Sequence, residues 1–189
     1  MAAGTRSPSE VAGDPFATLG IARRYDLDLR ALEKTHRELS RVLHPDRYAG
    51  TGASERRHAL SFAVEVNDAW RILRDPVRRA EALFRLAGVA VGETNEPKSN
   101  AGFLVDIMEQ REVLEDAKSA KDRGAVEALA EAIAERARMS EAALADMFAR
   151  ADGDRALLEE KLGMLGELRF YRRFLEEVSA IEDLLVEAV

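Results

Sequence analysis

The sequence predicts an all-α protein, and three observations carry that prediction. Alanine, leucine, glutamate and arginine dominate the 189 residues, and only 12 glycines and 5 prolines interrupt them. The alternation of Val, Ile and Thr that is typical of strands is scarce, whereas apolar residues recur at helical spacing. Hydrophobic residues make up 47% of the chain, which is enough to bury a sizeable core.

Charge and composition divide the chain into two parts. Residues 1–88 carry 15 Lys and Arg against 12 Asp and Glu, a net charge of +3, and the remainder carries 13 against 23, a net charge of −10. The stretch "GVAVGETNEPKSNAG" between them is rich in glycine and has no helical periodicity. The pattern predicts a disordered segment at 1–13, a first domain at 14–87, a linker at 88–102 and a second domain at 103–189.

Two long helices are predicted in the first domain after the short helical turn "DPFATLGI". Asp28 can cap a helix that runs to about Leu43, and a second helix, capped near Ser54, ends before the "DP" at 75–76. Their apolar stripes are expected to pack together as an antiparallel hairpin. The stripes consist of Leu32, Thr35, His36, Leu39, Val42 and Leu43 in the first helix and Ala59, Phe62, Ala63, Val66, Trp70 and Leu73 in the second.

The opposite face of the first helix carries four cations at positions i, i+4, i+7 and i+11, which we call the cationic ridge. Its residues are Arg30, Lys34, Arg37 and Arg41. Glu33 and Glu38 lie close enough along the helix to neutralise them in part. The pattern therefore fits a solvated helix face as well as a docking surface for an acidic partner.

The sequence "LHPDRY" ends that helix and places two polar groups around a rigid residue. Pro45 disfavours helical geometry at His44 and has no amide hydrogen, so a sharp loop must follow. A His beside an Asp can serve a hydrolase, but no nucleophile elbow accompanies His44 and Asp46. The three histidines lack metal-ligand spacing, and the chain has no cysteine. We therefore expect no metal and no cofactor, and we interpret the loop as a recognition element.

The run from "DPFATLGI" through "LRALEKTHRELSRVLHPDRYAG" to "NDAWRILRDPVRRAEAL" resembles a J-domain, the module by which DnaJ-type co-chaperones activate DnaK-type chaperone ATPases. The basic helix, the "HPD" tripeptide and a third helix followed by "DP" occur in the order of that family. The resemblance implies that His44, Pro45 and Asp46 contact the nucleotide-binding domain and the interdomain linker of the chaperone. It also implies that the cationic ridge docks beside them.

Three acidic helical stretches follow, at 101–122, 125–151 and 155–187, and they predict a three-helix bundle. The core stripe of the first stretch is Phe103, Ile107, Gln110, Leu114 and Ala117. The stripe of the last is Leu168, Tyr171, Leu175 and Val178. Several large apolar residues, among them Leu104, Met108 and Phe170, lie off these stripes. Such residues either pack against a further helix or form an exposed binding site.

General DnaJ proteins continue with a Gly/Phe-rich segment and cysteine-rich zinc modules, and this sequence has neither. Instead "RRAEALFRLAG", "FLVDIMEQREVLEDA" and "ELRFYRRFLEEV" resemble, in the same order, segments of HscB, the J-type co-chaperone family of iron–sulfur cluster assembly. The resemblance implies a surface that binds the scaffold protein on which clusters are built. Its residues are Leu104, Val105, Met108, Glu109, Arg111, Glu112 and Phe170. Val105 departs from the family, which often has methionine there.

The combined interpretation is a monomeric, cytoplasmic co-chaperone that is not an enzyme. It is expected to stimulate the ATPase of an HscA/DnaK-type chaperone and to deliver an IscU-type scaffold protein. Two alternatives stay open: a J-domain co-chaperone for a different client, and a nucleic-acid-binding module that uses the cationic ridge. The charge of −10 on the second half disfavours nucleic acid. No apolar run is long enough to span a membrane, and the first 13 residues lack the hydrophobic stretch of a signal peptide.

Overall fold

The computed structural model describes residues 13–91 and 101–187, and over these ranges the chain forms helices and no strand. This confirms the predicted all-α fold class. The chain divides into two compact units, residues 1–88 and 89–189. The segment 1–13, for which disorder is predicted, lies outside the described residues except for its last glycine.

The first unit contains four α-helices and one short 3₁₀ helix within its described residues. They are α1 (Pro15–Thr18), α2 (Leu29–Val42), the 3₁₀ helix (Pro45–Tyr48), α3 (Ala53–Arg74) and α4 (Pro76–Leu86). The helices α2 and α3 pack along each other as the predicted hairpin, and α1, α4 and the 3₁₀ helix all contact α3. The loop that carries the "HPD" tripeptide therefore lies at the turn of this hairpin.

Aspartate side chains fix where two of these helices begin. Asp28 Oδ1 accepts hydrogen bonds from two backbone amides of α2, at 2.9 and 3.1 Å, which confirms the predicted cap. Asp75 ends α3 and caps α4 in the same way at 2.9 Å. The helix start predicted near Ser54 lies two residues earlier: α3 begins after Gly52 without a side-chain cap, and Ser54 lies in its first turn.

The core of the first unit is centred on four fully buried side chains, Phe16, Val66, Leu73 and Phe84. Two residues predicted to be buried are exposed instead, Val42 by 53% and Phe62 by 39%. Val42 is the last residue of α2. Leu43, about 100° further round the helix axis, is buried in its place. Along α3 the buried residues Ala59, Val66 and Leu73 repeat every seven positions. Phe62 lies at the edge of the helix face that these residues form.

The second unit contains three long helices and one short helix within its described residues. They are α5 (Ala101–Ser119), α6 (Arg123–Ala151), α7 (Arg155–Glu160) and α8 (Gly163–Glu187). The predicted single helix at 155–187 is therefore wrong: Asp154 caps α7, which ends at Glu160, and Gly163, a weak helix former, starts α8. The predicted linker at 88–102 lies mostly outside the described residues, but Ala101 and the residue after it belong to α5.

The core of the bundle is built mainly by α6 and α8, whereas α5 packs less deeply. Only the carboxy-terminal half of α5 reaches the core, through Leu114 and Ala117. Phe103, Ile107 and Gln110 in the first half of the helix are half-buried. The predicted stripe of α8 missed Phe174, which is fully buried. The first half of α5 therefore lies on the bundle with one of its sides open to solvent.

Candidate partner-binding surfaces

The loop after α2 exposes an imidazole and a carboxylate side by side. The side chains of His44 and Asp46 are 60% and 90% exposed. The amide of Asp46 donates a hydrogen bond to His44 Nδ1 at 3.3 Å, so the neutral ring carries its proton on Nε2. His44 Nδ1 also lies 3.5 Å from Oδ2 of the Asp46 carboxylate. Because Pro45 stiffens the backbone between them, the loop presents these groups with little conformational freedom.

All four residues of the cationic ridge are exposed on α2. Arg37 Nη2 lies 3.7 Å from Glu33 Oε1, and Lys34 Nζ lies 4.0 Å from Glu38 Oε1. Among the described residues, Arg30 and Arg41 have no ion pair. The acidic residues of α2 thus neutralise the middle of the ridge and leave a cation at each end available to a partner.

An aromatic and polar contact joins α2 to α3 beneath the ridge. The imidazole of His36 stacks on the indole of Trp70, with ring centres 4.5 Å apart and planes inclined by 14°. His36 Nε2 lies 2.9 Å from Asn67 Oδ1, and the guanidinium of Arg74 lies 4.4 Å from the Trp70 ring. Helical spacing predicted His36 and Trp70 on the packing stripes but gave no sign of this stack. The contact fixes α2, which carries the cationic ridge and leads into the loop, against α3.

The second candidate surface lies on the first half of α5. Leu104, Val105 and Met108 are exposed by 49%, 56% and 70%, and we call them the α5 patch. Glu109 and Glu112 beside them are exposed and make no ion pair with any residue that the structure describes. The chain thus leaves the patch uncovered within this unit, as a binding surface requires.

Phe170 borders the α5 patch but is half-buried rather than a stray surface aromatic. Its ring contacts the ring of Phe103 edge to face at 5.7 Å and lies 5.7 Å from that of Phe174. The guanidinium of Arg111 is 6.0 Å from the Phe170 ring, and its Nη2 lies 3.2 Å from Glu177 Oε2. Arg111 and Phe170 therefore join α5 to α8 along one border of the patch.

A polar cluster fastens α5 to the bundle on the side of its core stripe that faces away from Arg111. Asp106 on α5 pairs with Arg136 on α6, and the charge of Arg136 also acts on Tyr171 of α8. Burial raises the pKa of Glu167, one turn before Tyr171. Burial and the nearby charge of Glu167 raise the pKa of Tyr171, and the positive charge of Arg136 opposes that effect. The sequence gave no signal for this cluster, because its members lie far apart along the chain.

Comparisons with known proteins identify the family. A family model described as "HSCB C-terminal oligomerisation domain" matches residues 99–179. A co-chaperone protein HscB homolog from Bordetella avium is 33% identical over 90% of this chain and 98% of its own length. The chain belongs to the HscB family of co-chaperones. A second HscB homolog, from Paraburkholderia phymatum, is 38% identical over 60% of this chain and 65% of its own length.

The structure of chaperone HscB from Vibrio cholerae covers 91% of this chain and 99% of its own length, with 29% identity and a TM-score of 0.76. Together with the sequence relatives it confirms the predicted HscB resemblance and fold, and the predicted co-chaperone role in iron–sulfur cluster assembly. The roles of the individual site residues of this HscB protein stay predictions.

None of the helices at 13–91 and 101–187 combines the length and hydropathy that a membrane span requires. Over the same ranges, no three His, Asp or Glu side chains converge as metal ligands would.

Proposed function

We propose that this HscB protein stimulates ATP hydrolysis by an HscA/DnaK-type chaperone through the His44–Pro45–Asp46 loop and the cationic ridge. The observation that supports this most directly is the exposed imidazole and carboxylate at the turn of the hairpin. Arg30 and Arg41 lie near the two ends of α2, the helix that leads into the loop, and are unpaired among the described residues. Their charges would steer an acidic partner toward the loop. The protein acts as an activator and not as an enzyme, because the loop recognises its partner without reacting.

The α5 patch, with Glu109, Arg111, Glu112 and Phe170 around it, binds an IscU-type scaffold protein in this proposal. Exposed Leu, Val and Met side chains supply apolar area, and the charged residues at the border set the orientation of the partner. Phe170 contributes the exposed part of a ring that the bundle already holds in place. Little side-chain entropy is lost when such a preorganised surface binds.

Placing both surfaces on one chain raises the local concentration of the scaffold at the chaperone. The protein needs no cofactor for this role, works in the cytoplasm and binds neither nucleic acid nor membrane in this proposal. We propose that it acts as a monomer, although the name of the matching family model refers to oligomerisation. Light scattering at working concentration separates these two states.

A steady-state ATPase assay with a purified HscA/DnaK-type chaperone tests the proposal. We expect this protein to accelerate hydrolysis, and to accelerate it further when an IscU-type scaffold is present. No acceleration at all would refute the role of the loop. Acceleration without any scaffold effect, together with no scaffold binding, would instead indicate a J-domain co-chaperone for a different client.

A further inference from the structure

One exposed arginine beside Phe170 has no function in the surfaces described so far. Arg173 lies three residues after Phe170 on α8, so the two side chains share a face of the helix. Arg173 makes no hydrogen bond and no ion pair within residues 13–91 and 101–187. It is an unpaired cation in a half of the chain whose net charge is −10.

Two carboxylates follow Arg173 at spacings that allow an ion pair, and neither pairs with it: Glu176, three residues further along, makes no ion pair within the described residues. Glu177, four residues further along α8, is the carboxylate with which an arginine at this spacing ordinarily pairs. That carboxylate is engaged by Arg111 of α5 instead, with Nη2 and Oε2 3.2 Å apart. The contact between α5 and α8 thus leaves the guanidinium of Arg173 available on the Phe170 side of the α5 patch.

The opposite border of the α5 patch carries unpaired charge of the other sign. Glu109 and Glu112 are exposed and have no ion pair in the described part of the chain. Glu109 lies about 160° round α5 from Arg111, and hence on the side turned away from α8. The patch therefore has an unpaired cation at its α8 border and an unpaired carboxylate, Glu109, at its far border. A second unpaired carboxylate, Glu112, lies within the patch, about 20° round the helix from Val105.

We infer that Arg173 binds a carboxylate of the scaffold protein, and that the scaffold segment over the α5 patch is dipolar. Its acidic group lies over α8 and its basic group over Glu109 and Glu112. The apolar patch alone would accept a segment in either direction, whereas opposite charges at its two borders admit one direction and penalise the reverse. This inference rests on the proposed binding of an IscU-type scaffold to the patch.

Titration of a purified IscU-type scaffold against charge variants, at low and at high salt, tests the inference. Arg173→Glu is expected to weaken binding by about tenfold at low salt, and Arg173→Gln by about threefold. Both effects should shrink at high salt, because the ion pair is screened. Arg123→Glu is the control: it makes the same charge change at an exposed residue beside the far end of α5, roughly 16 Å from Met108 along the helix axis. The change there also removes a local ion pair with Glu127, whose Oε1 lies 3.7 Å from Arg123 Nη2.

Circular dichroism establishes that the variants are folded, as expected for substitutions at an exposed position. If the unaltered protein binds the scaffold and Arg173→Glu binds as tightly as the control at low salt, the inference is wrong and the proposed function stands. If the unaltered protein fails to bind the scaffold, the proposed function and the inference fall together. Loss of affinity that is specific to the Arg173 variants and sensitive to salt supports the inference.

Discussion

Replacing Leu104, Val105 and Met108 together by alanine should abolish scaffold binding and leave the fold intact. These side chains are exposed by 49 to 70%, so truncation removes little buried apolar surface. Exposed substitutions change the free energy of unfolding by about 0.5 kcal/mol or less each, which gives about 1.5 kcal/mol at most for the three. Alanine also favours the helix, especially in place of valine, and offsets part of that loss.

Alanine substitutions at two phenylalanines of α8 provide reference values for the loss of stability. Phe174 is fully buried, so Phe174→Ala should cost about 3–5 kcal/mol and unfold much of the domain. Phe170 is half-buried, and Phe170→Ala should cost about half as much while also weakening scaffold binding. Urea unfolding followed by circular dichroism gives the free energies, and calorimetric titration with the scaffold gives the affinities.

Two outcomes of the triple substitution would refute the reasoning. A variant that stays folded and binds the scaffold normally would show that the α5 patch is not the client surface. A variant that loses as much stability as Phe174→Ala would show that the patch belongs to a buried interface. Neither result would bear on the proposed role of the His44–Pro45–Asp46 loop, which lies in the other unit.

Three further predictions concern other parts of the molecule. His44→Gln should keep the melting temperature but abolish ATPase stimulation, since the loop is exposed; full stimulation by this variant would refute the loop's role. The double substitution of Arg30 and Arg41 by Glu should weaken chaperone binding more at low than at high salt, and an equal loss of thermal stability would point to a structural role. Glu167→Gln should stabilise the protein above the raised pKa of Glu167, where the half-buried carboxylate is charged. The gain should vanish as pH falls below the usual value of 4.5, which urea unfolding at several pH values can check, and a gain that grows toward low pH would contradict it.

Local sequence signals predicted most of the fold. Asp28, Pro45 and the "DP" at 75–76 act through their own backbone geometry or nearest amides, so their effect on helix ends could be deduced from neighbours alone. Periodicity also separated the α5 patch from the α5 core. It failed at Val42, where two adjacent residues compete for one inward position. It also missed the break after Glu160, where no proline marks the end of the helix.

The contacts that support the candidate surfaces were not predictable in this way. The pairing of Arg111 with Glu177 and of Asp106 with Arg136 joins residues 66 and 30 positions apart. Such pairs depend on how the helices are rotated about their axes, and periodicity fixes that rotation only to within the width of an apolar stripe. For the same reason Phe170 could be placed off the stripe by its angle, but its half-burial against Phe103 could not be foreseen.

The stack of His36 on Trp70 gives the protein an intrinsic fluorescence reporter. Trp70 is the single tryptophan of the chain, and its indole lies between 4 and 5 Å from both the His36 imidazole and the Arg74 guanidinium. Its emission therefore depends on whether α2 remains seated on α3, and the second unit contributes no tryptophan signal. Circular dichroism, by contrast, records the helices of both units. The separation between melting curves followed by these two methods would measure how independently the two units unfold.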